Sequence, residues 1–248
     1  MGKHFSKSTI DGPKAKFPYR EAIGSLMYLM VCTRPDITCA IGVLSRFLEN
    51  PFEIHCQGVK RVFRYIKGTL EYGVSFNLNS SDTELVMYCD ADWGNDSDTR
   101  RSISAWIAFI NGGPVSWSSR RQSVTATSTT EAEFLSICAA TKAVVWLRKL
   151  TSDVNCKQYG ATIINCDNQK AIELVKNPDS SKRTKHIAIQ YFYACDMQAT
   201  GEIDMKYVES NKQLADALTK SLSKIKFEML ISQYGLAKVC NKKSEKEC

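Results

Sequence analysis

The stretch ELVMYCDADWGNDSDTRRS spans Glu84 to Ser102. It opens on an apolar run, Leu85-Val86-Met87-Tyr88-Cys89, and then places Asp90, Asp92, Asp96 and Asp98 close together before two arginines. An apolar run of that length reads as a buried strand. A strand of core residues that delivers a carboxylate at its end poses a choice. Asp90 is either a turn former or a ligand for something positive.

Working outward, "ISAWIAFING" alternates and reads as a second strand, and "GGPVSWSS" supplies a turn and a third. Short connections make this a three-strand meander. A long helix is expected from about 128 to 149. "ATIINCDN" is a fourth strand, "QKAIELVKN" a short helix, and "TKHIAIQYFYACDMQATG" a helix ended by Gly201. "EIDMKYVE" is a fifth strand and "KQLADALTKSL" a further helix. The order is βββαβααβα, followed by an amphipathic helix in "KIKFEMLISQYG" and a polar tail. A meander followed by a right-handed βαβ crossover gives a sheet ordered 3-2-1-4-5, with strands 1 and 4 parallel.

Upstream the pattern is helical. "YREAIGSLMYLMVCT" puts Ala22, Leu26, Leu29 and Met30 at helical spacing. "RPDITCAIGVLSRFLEN" starts on Pro35 and Asp36 and turns Ile37, Ile41, Leu44 and Phe47 inward. "PFEIHCQGVKRVFRYIKGTL" turns Ile54, Val59, Val62, Phe63 and Ile66 inward, and "YGVSFNL" is a short strand. These apolar faces are too large to leave in water, so this segment should pack as a helical layer on or beside the sheet.

The chain has 248 residues and a net charge of +7, which permits a polyanionic partner without demanding one. Ten cysteines occur without any C-x-x-C pair, several inside apolar runs, which fits free thiols better than a zinc site or disulfide scaffold. No apolar stretch reaches the roughly 18 residues of a membrane span, and no signal peptide is recognisable. "MGKHFS" matches a loose lipid-acceptor pattern, but Lys3 directly after the glycine makes it a poor acceptor. The expectation is no membrane and an intracellular place.

The other acids decide how Asp90 is read. Asp167 closes a second apolar strand, Ile163-Ile164-Asn165-Cys166. Glu133 lies in the first turns of the long helix, in "TSTTEAEFL". Asp216 sits among Leu214, Ala215 and Leu218, where an acid is costly unless it meets a cation. Each has a plain alternative: a turn residue, a first-turn acid favoured by the helix dipole, or the cap of the next helix beside Asn168. The order D…E…D…D on this frame favours a shared site.

The chain resembles the ribonuclease H domain of copia-type LTR retrotransposon Pol polyproteins, with the segment that links it to the reverse transcriptase. The resemblance covers about residues 19–222 and rests on "YREAIGSLMYLMVCTRPDI", "KRVFRYIKGTLEYG", "YCDADW", "RRSISAWIAFINGGPVSWSSRRQ", "STTEAEF", "WLRKL", "CDNQKAIELVKNP", "RTKHIAI" and "QLADALTK". It implies an α/β, ribonuclease H-like fold and four units: a tail at 1–18, a helical thumb- or connection-like segment at 19–82, a ribonuclease H-like domain at 83–222, and a C-terminal helix and tail at 223–248. By motif, it implies that Asp90, Glu133, Asp167 and Asp216 are the catalytic, metal-holding acids, with Glu133 preferred to Glu131 and Asp90 to Asp92.

The activity so implied is hydrolysis of the RNA strand of RNA–DNA hybrids. Two Mg²⁺ or Mn²⁺ ions about 3.5–4 Å apart would stabilise the attacking and leaving oxygens. A metal-free cluster is expected to be splayed by repulsion, with Lys or Arg nearby as a partial substitute. Hybrids are read through shape, phosphates and 2′-hydroxyls. Arg120, Arg121, Asn168, Gln169, Lys185 and His186 are the candidate nucleic-acid contacts. Asn168 could equally be a helix cap, and His186 structural. The reverse transcriptase core of the same polyprotein is a second expected partner. No YxDD-like pair follows a strand in 19–82, so no polymerase activity is expected from this chain alone. The loop "YVESNKQLAD" lacks the histidine that many cellular ribonucleases H carry before the last acid, which implies slower product release. An alternative is an inactive, truncated remnant acting only as a nucleic-acid-binding or effector-like interaction module. Asp92, Asp96 and Asp98 are expected to be loop carboxylates between the first two strands.

Overall fold

The computed structural model describes residues 16–77, 83–177 and 188–239. Three helices lead: α1 (Tyr19–Cys32), α2 (Thr38–Leu44) and α3 (Glu53–Gly68). Strand β1 (Tyr72–Val74) precedes the meander β2 (Val86–Asp92), β3 (Ile103–Ile110) and β4 (Gly113–Arg121). Then come α4 (Thr129–Asp153), β5 (Thr162–Cys166), α5 (Gln169–Lys176), α6 (Ala188–Ala199), β6 (Ile203–Tyr207), α7 (Asp216–Thr219), α8 (Lys224–Gln233) and β7 (Leu236–Lys238).

Five strands form one mixed sheet in the order β4-β3-β2-β5-β6. β2 is antiparallel to β3 and parallel to β5, and β6 is parallel to β5. This is the 3-2-1-4-5 arrangement read from the meander and crossover. The turn between β3 and β4 is a two-residue hairpin loop. Asn111 and Gly112 both take positive φ, 52° and 71°, the demand that an Asn-Gly hairpin turn meets.

The sheet has two apolar faces. On one, Met87, Cys89 and Ile164 pack against Phe134, Ile137 and Val144 of α4. On the other, Ala105, Ile107 and Phe109 meet Leu214 and Leu218 around α7, and Leu230 and Tyr234 near α8. The helical layer has its own core of Ile23, Leu26, Ile41, Phe47, Val59 and Val62. The Trp117 indole N–H of β4 donates to the Met30 carbonyl at 2.8 Å, tying that layer to the second face. β1 pairs antiparallel with β7, so the segment that follows α3 is joined to the C-terminal end of the described chain.

Several local expectations are corrected. The helix expected to begin at Pro35 is α2 flanked by two 3-10 turns, Pro35–Ile37 and Ser45–Phe47. Phe63, expected inward, is 39% exposed. The helix expected around Asp216 has only four residues. The segment after 223 adds a strand, β7, to its helix. Among the described residues no helix is long and apolar enough to cross a membrane, and the cysteines are free thiols.

Candidate active site

Strand register brings the first two acids together. Tyr88 of β2 pairs with Asn165 of parallel β5, so two further residues along each chain arrive at Asp90 and Asp167 on one level. The Asn165 side-chain amide donates to the Met87 carbonyl at 3.2 Å and holds that register. α4 is pinned at the same level, because the Ser136 hydroxyl donates to the carbonyls of Asp90 (2.7 Å) and Ala105 (3.1 Å). Glu133, one turn earlier, is buried. Glu131, the rejected neighbour, is half-buried and accepts from the Thr127 backbone N–H at 2.6 Å as part of the helix start.

The fourth acid arrives through backbone ties. Gln213 donates its side-chain amide to the Cys89 carbonyl at 2.9 Å and accepts from the Ala215 N–H at 3.2 Å, fixing the entry to α7 against β2. Asp216 is then 1% exposed, as is Asp90. The Thr219 hydroxyl donates to Asp90 Oδ2. Lys220 Nζ lies 2.7 Å from Asp216 Oδ1 and 3.8 Å from Asp90 Oδ2. Lys226 Nζ reaches Asp216 Oδ2 and also the Ser210 carbonyl. Asp167 is half-buried and accepts from the Ser210 hydroxyl at 2.7 Å.

The electrostatics record the crowding. Burial, offset by Lys220 but reinforced by Asp216 and Asp167, pushes the Asp90 carboxyl up to about 6. Burial, with Asp90, Cys166 and Asp167 nearby, pushes Glu133 up to about 11. Burial alone would lower the Lys220 ammonium, but Asp90 and Asp216 outweigh it and raise it. One oxygen of Glu133, one of Asp167 and the Cys166 sulfur all lie within 4.8 Å of one another. Hard carboxylate oxygens from two strand ends and two helices are the donor set that suits Mg²⁺ or Mn²⁺, so the residues present fit that group.

The other expected contacts divide. Arg121 is bound to Asp96 at 2.5 Å, and Arg120 is exposed beside it on the sheet edge. The Asn168 side chain accepts from the Ala171 N–H at 3.0 Å, so it caps α5. Gln169 opens that helix and is exposed. Lys185 and His186 lie outside the described residues. Asp96 is in the expected loop but is buried, taking Arg121, Thr99 and the Asp98 N–H. Sequence reasoning did not single out Lys220, Lys226, Thr219 or Ser210. Lys220 had a signal, since it stands four residues after Asp216 on a helix.

No family model matches the chain. The retrovirus-related Pol polyprotein from transposon TNT 1-94 of Nicotiana tabacum is 39% identical over 240 residues, covering 95% of this chain and 18% of that protein. That from transposon RE1 of Arabidopsis thaliana is 37% identical over 234 residues, covering 94% and 16%. This chain belongs to the copia-type, retrovirus-related Pol polyproteins. It spans less than a fifth of the length of these Pol relatives. The secreted RxLR effector protein 161 of Plasmopara viticola is 47% identical over 130 residues, covering 52% of this chain and 91% of that protein. The sheet order and strand directions of this Pol segment are those of a ribonuclease H-like fold. Two solved structures bear a loose likeness to it. The N-terminal RNase H domain of rv2228c from Mycobacterium tuberculosis is 12% identical, with a TM-score of 0.41, covering 60% of this chain and 97% of that one. The foamy viral protease-reverse transcriptase in complex with RNA/DNA hybrid is 11% identical, with a TM-score of 0.43, covering 87% and 28%. The family assignment stands on the sequence relatives.

Proposed function

We propose that this chain is the ribonuclease H part of a copia-type Pol polyprotein and hydrolyses the RNA strand of RNA–DNA hybrids. The observation that carries this reading is the convergence of four acids. Asp90 lies two residues before the end of β2 and Asp167 directly follows parallel β5, its neighbour, while Glu133 comes from α4 and Asp216 from α7. Asp90, Glu133, Asp167 and Asp216 would hold two Mg²⁺ or Mn²⁺ ions, which supply charge stabilisation to a displacement at phosphorus. The chain's own contribution is placement. Ser136 and Gln213 lock the backbone of β2 to both helical partners. Ser210 orients Asp167, and Thr219 orients Asp90. Lys220 and Lys226 both pair with the buried Asp216 and hold its carboxylate in place. Arg120 and Arg121 at the sheet edge, with Gln169, are the substrate-facing polar groups among the described residues.

The test is cleavage of a labelled hybrid with Mg²⁺ by the wild type and by Asp90→Asn, with calorimetric titration of Mg²⁺ into both. Cleavage lost in the variant and in EDTA, with weaker Mg²⁺ binding, supports the reading. Cleavage that persists in EDTA, or equal Mg²⁺ binding by both proteins, sinks the two-metal assignment.

A second reading has one observation in its favour, the 47% identity to a protein named as a secreted effector. On that reading the fold is kept for its surface, as an interaction module without nuclease chemistry. A folded wild-type protein that binds no divalent ion at the four acids would favour it.

A further inference from the structure

Away from the acids, a cavity of about 250 Å³ opens between the helical layer and the edge of the sheet. Ser45 and Arg46, at the end of α2, line one wall; Ser119, Arg120 and Arg121 of β4 line the other. We propose that Arg46 and Arg121 make this cavity a pocket for a backbone phosphodiester of duplex nucleic acid, so that the N-terminal helical layer is part of the substrate platform. This rests on the nucleic-acid reading above and adds to it a residue outside the expected nuclease domain.

Charge carries the first step. Both guanidinium groups converge on one carboxylate: Arg121 lies 2.5 Å and Arg46 3.8 Å from Asp96 Oδ2. Asp98 also acts on Arg46, but Arg120 adds a third cation to the lining, so the cations outnumber the two acids that act on Arg46. Burial outweighs the attraction of Asp96 and pushes Arg46 below its ordinary value, so a second anion would relieve it. Asp96 itself is buried and also held by Thr99, so it positions the two guanidiniums without swinging away. Guanidinium forks with hydroxyls beside them match phosphate oxygens.

Position carries the second step. Asp90 is opposite Ala105 on β3, and Ala105 is opposite Ser119 on β4. Residues directly opposite share a face, so the pocket wall lies on the Asp90 face, about two strand spacings or roughly 10 Å away. That separation is about three nucleotide steps along a duplex strand, at roughly 3.4 Å each. A duplex engaged at the acids therefore brings a second phosphate within reach. Such a contact fixes register without reading sequence.

Two variants test this in an Asp90→Asn background, by anisotropy of a labelled hybrid and a labelled plain DNA duplex across a salt series. Arg46→Gln should bind both several-fold more weakly near 0.1 M salt. Its salt slope should be smaller by about 0.7–0.9, one lost phosphate contact. Gly42→Asp adds a carboxylate to the pocket and leaves both arginines and Asp96 in place; a Cβ there meets nothing within 4 Å. It should weaken binding at least as much. The proposal is overturned if both variants, with wild-type melting temperatures, keep affinity and slope. It is also overturned if the loss is confined to the hybrid, or if the parent binds neither duplex. A protein that binds through this pocket but whose wild type cleaves nothing would overturn only the nuclease reading.

Discussion

On one face of the sheet, α4 covers β2, β3 and β5 with a dry core in which Phe134, Ile137 and Val144 meet Met87, Cys89 and Ile164. On the other face, the cover is assembled from distant segments: α7, α8 and β7 from the end of the chain, and the helical layer from its start. The first face contributes Glu133, with a thiol and a second acid nearby and no ion pair among the described residues. The second face receives Asp90 and Asp216, and it carries the cations, Lys220 and Lys226 at the acids and Arg46 and Arg121 at the edge. The same crowding is therefore relieved differently. On the α4 face Glu133 is pushed far toward its neutral form; on the other, Lys220 offsets part of the burial and Asp90 rises only to about 6.

The sharpest test of this contrast separates activity from stability. Glu133→Gln and Asp216→Asn should each reduce hybrid cleavage by about a hundredfold or more, the scale on which a preorganised group at a reacting centre acts. Their melting should differ. Glu133→Gln removes a group that already disfavours its charge and should stay within about 0.5 kcal/mol of wild type. Asp216→Asn strands Lys220 and Lys226 and should cost about 1–2 kcal/mol. That is less than a fully buried pair would cost, because the lysine side chains keep 36% and 32% exposure. Equal losses in chemical denaturation would break the comparison.

The two faces also differ in how far they could be read from sequence. The α4 face is built from long periodic runs, and β2, β3, α4 and β5 were all legible. Asp90 and Asp167 could be paired from strand order alone. The second face was legible only in part. β7 is Leu236-Ala237-Lys238, three residues without alternation, and its partner β1 lies more than 160 residues earlier in the chain, at Tyr72–Val74. The helix at Asp216 reads as longer than its four residues because "KQLADALTKSL" is apolar at helical spacing. Gln213 instead spends its amide on Cys89 and Ala215, and the chain before Asp216 is a tied turn. Arg46 and Asp96 meet only through tertiary packing, and no local pattern announces such a pair.

The assembled face has a weak point of the kind its construction requires. Gly235, between α8 and β7, has φ +69°, and a Cβ there would stand 2.9 Å from the Ser75 carbonyl oxygen. The Ser75 N–H and hydroxyl both donate to the Gly235 carbonyl, at 2.9 and 2.7 Å. Gly235→Ala should lower stability by about 2 kcal/mol through backbone strain and the clash. Gly112→Ala, also at positive φ but with open space around it, should cost less. A thermal melt in which the two variants match would show that the join between β1 and β7 is not what holds this face.

The pH response of the second face follows from Asp96. Burial alone would raise its carboxyl, but Arg121, Thr99, the Asp98 N–H and Arg46 bring it down to about 2. A carboxyl held below its ordinary value favours the fold when ionised. Its contribution is therefore complete above about pH 4 and is lost as pH falls toward 2. Asp96→Asn should cost about 1.5 kcal/mol at pH 7, the scale of a hydrogen bond to a charged group. The gap to wild type should close across that acid window. A gap that stays constant to pH 2 would mean that Asp96 acts by shape and not by charge.

The smallest expected effect lies on the outside of the helical layer. α1 turns Tyr19, Ile23 and Leu26 into the layer's core and leaves Met27, Tyr28 and Val31 at 40%, 72% and 65% exposure. The inner positions are committed to packing, while the outer ones meet water in the isolated chain. Tyr28→Ser and Val31→Ser together should therefore change melting by less than about 0.5 kcal/mol, since neither creates a cavity nor strands a polar group. Hybrid affinity should also hold, because the proposed phosphate pocket lies with Arg46 and β4. A loss of stability comparable to that of Gly235→Ala would show that this surface is packed after all, and that the second face extends further than the described residues indicate.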